Sequence, residues 1–225
     1  MPSCYHLDFE TYSDCDISLG AFRYAQDPST RILLCAVAKD DDPPLVYDSR
    51  DPLSEESREA VGLLHLMAGD KTCTIYAHNA QFEWAVILSR WFYDIPPIVL
   101  PSGMYLDSEI PSLLQLRCTA AMCRRAGIPA SLAGASDFLK LSVCKDKIGS
   151  RLIQLFCVPQ KKPLNPAKVT VDGRHMSEHD AWLLFKEYCR TDVETERELA
   201  KRLRAFELRG TALEAFQFDM EMNTM

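Results

Sequence analysis

The sequence predicts an α/β protein in which helices pack on a mixed sheet. Three observations carry this expectation. Short apolar runs are bounded by turn signals, segments of helical period lie between them, and the two kinds alternate along the chain. The 225 residues suffice for one to two domains with a well-buried core, and the 47% hydrophobic content is that of a globular chain.

The first run, Tyr5 to Phe9, is apolar and aromatic and crosses the acidic Asp8. Ile32 to Ala38 (ILLCAVA) is nearly all apolar between STR and KDDDPP, which suits a buried strand better than a helix. Leu45 to Tyr47 adds a third strand, and the spacing suggests a meander. Ser54 to Met67 reads as a helix: Ser54 caps it, Glu55 and Glu56 suit its first turn, and Val61, Leu64 and Met67 recur at helical spacing. Thr72 to Ala77 is a strand, and after His78-Asn79 an apolar-faced helix spans about Gln81 to Trp91.

The middle is less regular. Phe92 to Ser112 contains Pro96, Pro97, Pro101 and Pro111 and reads as loop. Leu113 to Ala126 is a helix ended by Gly127 and Pro129, Ser131 caps a second to Leu141, and Ile148 to Val158 forms a third. Pro159 to His175 is proline-rich and basic and reads as a mobile surface loop. Ser177 with Asp180 resembles a capping box, opening a long helix to about Leu208. Leu183, Leu184, Tyr188, Val193, Leu199 and Leu203 are assigned to its buried side, and Glu194, Glu196, Glu198, Lys201, Arg202 and Arg204 to solvent.

Composition limits the functional classes. With 32 acidic and 25 basic residues the formal charge is −7, which argues against holding duplex DNA by bulk charge alone. It leaves open an enzyme whose acidic site is neutralised by metal ions. The nine cysteines are scattered without paired short spacings, so neither a disulfide framework nor a zinc knuckle is expected, and a reduced, cytosolic compartment fits. The N-terminal segment lacks a signal-peptide pattern, and no apolar run reaches the roughly 20 residues that span a bilayer.

Three fragments carry candidate chemistry. In Asp8-Phe9-Glu10, strand geometry projects both carboxylates to one side while Phe9 enters the opposite core. Two acids on one face of an apolar segment are costly unless a cation joins them, although a solvated strand end is the plainer reading. In His78-Asn79-Ala80-Gln81-Phe82-Glu83, Asn79 is placed to cap the helix. Glu83 either serves its first turn or turns toward the same carboxylates. Tyr188 and Asp192 lie one helical turn apart on a single face, where core plus surface is again the plainer reading.

Taken together and in this order, the fragments resemble the three motifs of the DEDD (DnaQ-like) 3'-5' exonuclease superfamily in its tyrosine-containing branch. The segment HLDFETYSDCDISLGAFRYAQDPSTRILLCAVAKDD is similar to the opening of the proofreading domain of bacteriophage family A DNA polymerases. YAHNAQFEWAVI and YCRTDVETERELAKRL continue the likeness, which covers about residues 5 to 210. The resemblance implies a ribonuclease H-like exonuclease fold, a mixed five-stranded sheet flanked by helices. It implies two divalent ions, Mg²⁺ or Mn²⁺, roughly 4 Å apart for an in-line displacement. Asp8 would bridge both, Glu10 and Asp192 would hold the ion beside the attacking water, and Tyr188 would orient that water. Hard oxygen ligands suit Mg²⁺, and the cysteines need no catalytic role; Cys4, Cys35, Cys73 and Cys189 read as small core residues. The second motif departs from the superfamily by ending in Glu83 where aspartate is usual, which keeps the charge but extends its reach by one methylene.

The implied activity is release of nucleoside monophosphates from single-stranded or frayed DNA 3' ends, with an exoribonuclease or a non-catalytic DNA- or polymerase-binding module as alternatives. Phe9, Thr11, Tyr12, Asn79 and Phe82 are the candidate contacts to the terminal nucleotide. Lys145, Lys147, Arg151, Lys161, Lys162, Lys168 and Arg174 form a basic group between the second and third motifs. Residues 1–210 are expected to form the exonuclease domain, and 211–225 resemble the lead-in to a polymerase domain for which 225 residues leave no room. The implied partner is a DNA polymerase or another replication protein.

Overall fold

The computed structural model describes residues 2–98, 109–141, 148–160 and 165–224. Strands β1 (Cys4–Tyr12), β2 (Arg31–Lys39) and β3 (Leu45–Asp48) form the expected antiparallel meander. β4 (Thr74–Ala77) pairs in parallel with β1 on its other edge, and β5 (Leu116–Cys118) pairs in parallel with β4. The result is a mixed five-stranded sheet of order β3-β2-β1-β4-β5, with β1 at its centre.

Alternation along β1 divides the protein into two layers. Tyr5, Leu7 and Phe9 enter a core with Val61, Leu64 and Met67 of α2 (Glu55–Gly69) and Trp84, Ile87 and Trp91 of α3 (Gln81–Asp94). The short helix α1 (Ala21–Gln26), not anticipated from the sequence, covers the same face beside α3 through Ala25. The opposite face carries Leu34, Ala36 and Ala38 of β2. They pack against Leu152 and Phe156 of α6 (Gly149–Phe156) and Trp182, Phe185, Cys189 and Val193 of α7 (Glu178–Arg202). A smaller cluster joins Met122 and Cys123 of α4 (Thr119–Ala126) and Leu132 of α5 (Leu132–Leu139) to Leu199 and Leu203. Helix α8 (Thr211–Met222) rests on the 3-10 turn at Leu113–Gln115, where Gln217 Nε2 donates to the Leu114 carbonyl at 3.1 Å.

Caps at Ser54, Ser131 and Ser177 hold, each side chain accepting a backbone N–H of the first turn. Several expectations do not hold. The helix read over Leu113 to Ala126 is a 3-10 turn, then β5, then α4, because Leu116 and Cys118 are buried in the sheet beside β4. Tertiary pairing overrides local propensity there. Within Pro159 to His175, β6 (Val169–Val171) and β7 (Arg174–Met176) form a hairpin. Its turn, Asp172-Gly173, has φ of 49° and 75°, and the Asp-Gly dipeptide was the signal for it. Helix α7 stops at Arg202 rather than near Leu208. Leu183 and Leu184 are exposed, Ala181, Trp182 and Phe185 being the buried residues of that turn, and Glu196 is buried rather than solvated. Asn79 does not cap α3: the cap position is Ala80, and Asn79 itself has a left-handed φ of 72°. Cys35, Cys73 and Cys189 are core residues as expected, whereas Cys4 is only partly buried. Lys145, Lys147, Lys161 and Lys162 lie outside the described residues, and Arg151, Lys168 and Arg174 are exposed.

Candidate active site

The pleat of β1 that sends Tyr5, Leu7 and Phe9 into one core sends His6, Asp8 and Glu10 toward α7. A bulge between Glu10 and Thr11 then breaks the β1–β2 register, a device that re-aims side chains beside functional sites. From the helix side, Cys189 and Asp192 are three residues apart on α7 and both buried. The Cys189 thiol lies 3.8 Å from Asp8 Oδ2, and ligand atoms of Asp8, Glu10 and Cys189 all lie within 4.8 Å of one another. The sequence reading missed Cys189 as a neighbour of the carboxylates; its helical spacing from Asp192 was the available signal. On the far side of Glu10, the Cys157 thiol donates to Oε2 at 3.8 Å.

Glu83 approaches from the first turn of α3 and is 2% exposed. Burial, then the nearby Asp8 charge, push its carboxyl well above the usual range, with Glu196 and Glu10 adding to the effect. Its Oε2 is buried with no hydrogen-bond partner. Crowded carboxylates with a buried, unsatisfied oxygen fit a divalent cation, because a positive charge relieves both the repulsion and the desolvation. The described cluster thus has metal-binding capacity, with a thiol beside its carboxylates.

Tyr188 reaches the same place. Its hydroxyl hydrogen-bonds Asp192, and burial followed by the charges of Asp192 and Glu10 holds the phenol well above its ordinary range, so it is a proton donor at neutral pH. The ring stacks on Phe185 and lies against the backbone of Gly149, where a β-carbon would come within 2.6 Å of Tyr188 Cζ. A side chain at Gly149 would displace the hydroxyl from the carboxylates.

Two cavities open on this cluster. One of about 530 Å³ is lined by Glu10, Thr11, Tyr24, Phe82 and Cys157. Thr11 Oγ1 and the Tyr24 hydroxyl are 2.9 Å apart in its wall, and Phe9, though only 4% exposed, contributes an edge. The other, of about 490 Å³, is lined by Asp8, Asn79, Arg124, Ser131 and Asp192. His78 fixes that wall, Nε2 donating to the Ala130 carbonyl at 2.8 Å and Nδ1 pairing with Thr119 at 3.0 Å. Of the five candidate nucleotide contacts, Phe9, Thr11 and Phe82 face the first cavity and Asn79 the second. Tyr12 is occupied by a 2.6 Å hydrogen bond to Asp14 and by Arg31 over its ring.

Sheet order and the helix across β1 define a ribonuclease H-like fold, a mixed five-stranded sheet flanked by helices. No protein-family model matches the chain. In sequence it is 34% identical over 223 residues to the DNA polymerase of Bacillus phage SP02, a match that takes in 96% of this chain and 30% of that protein. The chain therefore spans about a third of the length of this relative. Escherichia coli RNase D, an exoribonuclease involved in structured RNA processing, superposes with a TM-score of 0.52 at 16% identity. That match covers 99% of this chain and 45% of RNase D. NrnC of Brucella melitensis superposes with a TM-score of 0.51 at 16% identity, covering 98% and 82% of the two chains. Among the described residues no helix is long and apolar enough to cross a membrane.

The raised carboxyl of Glu83 has a consequence for the metal-free protein. A carboxyl whose folded value lies above its unfolded one contributes stability that is whole below the ordinary carboxylate range. That stability falls as pH rises from there toward the raised value. Glu83→Gln removes this term, so metal-free Glu83→Gln is expected to melt above the parent protein at pH 8. The gap should close toward pH 4. Thermal melts in chelator across that range test this, and a gap independent of pH would contradict it.

Proposed function

We propose that the chain is a metal-dependent 3'-5' exonuclease that removes nucleoside monophosphates from single-stranded nucleic acid. The observation that carries this reading is the convergence of Asp8 and Glu10 of β1 with Glu83 of α3 and Asp192 of α7, beside two cavities of nucleotide size. Asp8, Glu10 and Asp192 would hold Mg²⁺ or Mn²⁺, with Glu83 completing the acidic surround. Bound divalent ions supply charge neutralisation at the phosphate and lower the pKa of the attacking water. Tyr188, hydrogen-bonded to Asp192, orients that water through its hydroxyl. Thr11, Phe82 and Phe9 grip the terminal sugar and base, and Asn79 meets the chain on the other side of the carboxylates; Tyr12, which lines neither cavity, is not among these contacts.

DNA is supported as substrate by the likeness to the phage polymerase, with proofreading beside a polymerase as the proposed role; residues 1–210 are the proposed catalytic unit. RNA is supported by the shared fold with RNase D. Paired 3'-labelled DNA and RNA oligonucleotides, incubated with Mg²⁺ or Mn²⁺, separate the two. Metal-dependent release of mononucleotides is the expected result. Tight binding without release would replace the enzyme with a binding module. Tyr188→Phe is expected to slow release by about 100-fold, the lower end of what one positioned proton-handling group contributes. An unchanged turnover number would remove the water-orienting role.

A further inference from the structure

We propose that His6 and Glu196 are positioning residues for the metal cluster: their buried hydrogen bond locks β1 to α7 in the register that sets Asp8 and Glu10 opposite Asp192. The proposal rests on the exonuclease reading but concerns two residues outside the carboxylate set. His6 stands two residues before Asp8, on the same face of β1. Glu196 stands four residues after Asp192, one turn along the same face of α7. His6 Nδ1 donates to Glu196 Oε2 at 2.6 Å, with the two side chains 6% and 3% exposed. The bond therefore spans the same two elements as the metal cluster, one step further along each.

A second contact between β1 and α7, the Cys189 thiol on Asp8 Oδ2, is longer at 3.8 Å and lies within the cluster itself. Around Cys189 and Val193 the helix packs on Leu34, Ala36 and Ala38 of β2, and apolar contact is non-directional. It sets the separation of strand and helix but allows one to slide on the other. The hydrogen bond is directional, and its histidine is itself held. The His6 ring stacks on Tyr76, its cross-strand partner on β4, with centroids 5.4 Å apart and planes 15° from parallel. The Tyr76 hydroxyl donates to Glu207 at 2.7 Å, just beyond the end of α7. Arg117 of β5 lies 3.8 Å from the same carboxylate. Two acids from the α7 region thus grip one ring stack seated on the sheet. An apolar pair of similar volume would fill the space without burying another carboxylate near Glu83, so packing alone does not account for Glu196.

The test is Mn²⁺ affinity of the full chain by titration calorimetry, without nucleic acid. It compares His6→Ala, Glu196→Ala, Glu196→Gln and the paired apolar replacement His6→Phe with Glu196→Leu. Either alanine variant is expected to bind Mn²⁺ about 10- to 100-fold more weakly, the usual cost of losing a group that orients ligands. Glu196→Gln, which keeps an oxygen to accept from His6, should recover most of the affinity. The paired variant decides the matter even if the single alanines unfold. It is expected to melt like the parent protein yet bind Mn²⁺ as weakly as the alanine variants. Parent-like affinity in the paired variant would overturn the proposal, since packing alone would then hold the cluster. Asp8→Asn is measured alongside. If it binds Mn²⁺ like the parent protein, the metal-site reading itself fails and takes this proposal with it. If it loses affinity while the paired variant does not, only the positioning role is lost.

Discussion

Asp8→Ala or Asp192→Ala is expected to lower nucleotide release by about 10³-fold or more while the protein stays folded. Charge stabilisation by a bound cation is worth several kcal/mol in the transition state, and each 1.4 kcal/mol or so is a factor of ten in rate. Both residues line the cavity of about 490 Å³ and belong, on the proposed reading, to the metal set. The fold should survive because each substitution removes a carboxylate from a crowded acidic cluster and leaves the apolar layers beneath β1 and α7 intact. Single-turnover release from a 3'-labelled oligonucleotide, with circular dichroism as the folding control, is the measurement. Near-normal turnover in either purified variant would refute its assignment.

Phe185→Ala is expected to cost about 3–5 kcal/mol of stability, the range for truncating a buried aromatic. Phe185 is fully buried on α7 among Phe156 at 5.3 Å, Trp182 at 5.7 Å and Tyr188 at 6.4 Å between ring centroids. At about 2–4 °C per kcal/mol for a protein of this size, the melting temperature should fall by roughly 10 °C. The same change removes the ring on which Tyr188 stacks, so the surviving folded fraction should also turn over more slowly. Urea unfolding at equilibrium checks the first part, and a loss below about 1 kcal/mol would show that the aromatic layer collapses onto the gap.

The strands of the meander, the α2 and α3 helices and the capping serines were legible because each rests on a local pattern, a short apolar run or a polar cap at fixed spacing. β5 was not legible from its own residues: three residues carry no period, and Leu116-Arg117-Cys118 become a strand only by pairing with Ile75 to Ala77. Glu196 was assigned to solvent for a related reason. An acid among charged neighbours on a long helix is ordinarily exposed, and nothing local to the helix announces a histidine 190 positions away.

By itself the sequence determined the alternating α/β plan, the same-face projection of Asp8 and Glu10, and the one-turn spacing of Tyr188 and Asp192. These follow from strand and helix periods alone. Only the tertiary structure decided that the β1 pair and the α7 pair face each other. It also decided that Cys189 and the buried Glu83 stand beside them, and that Gly149 makes room for the Tyr188 ring. Those relations depend on how far apart packed elements sit and how they slide. That distance is set by side-chain volume and by directional bonds such as His6 to Glu196, which periodicity does not encode.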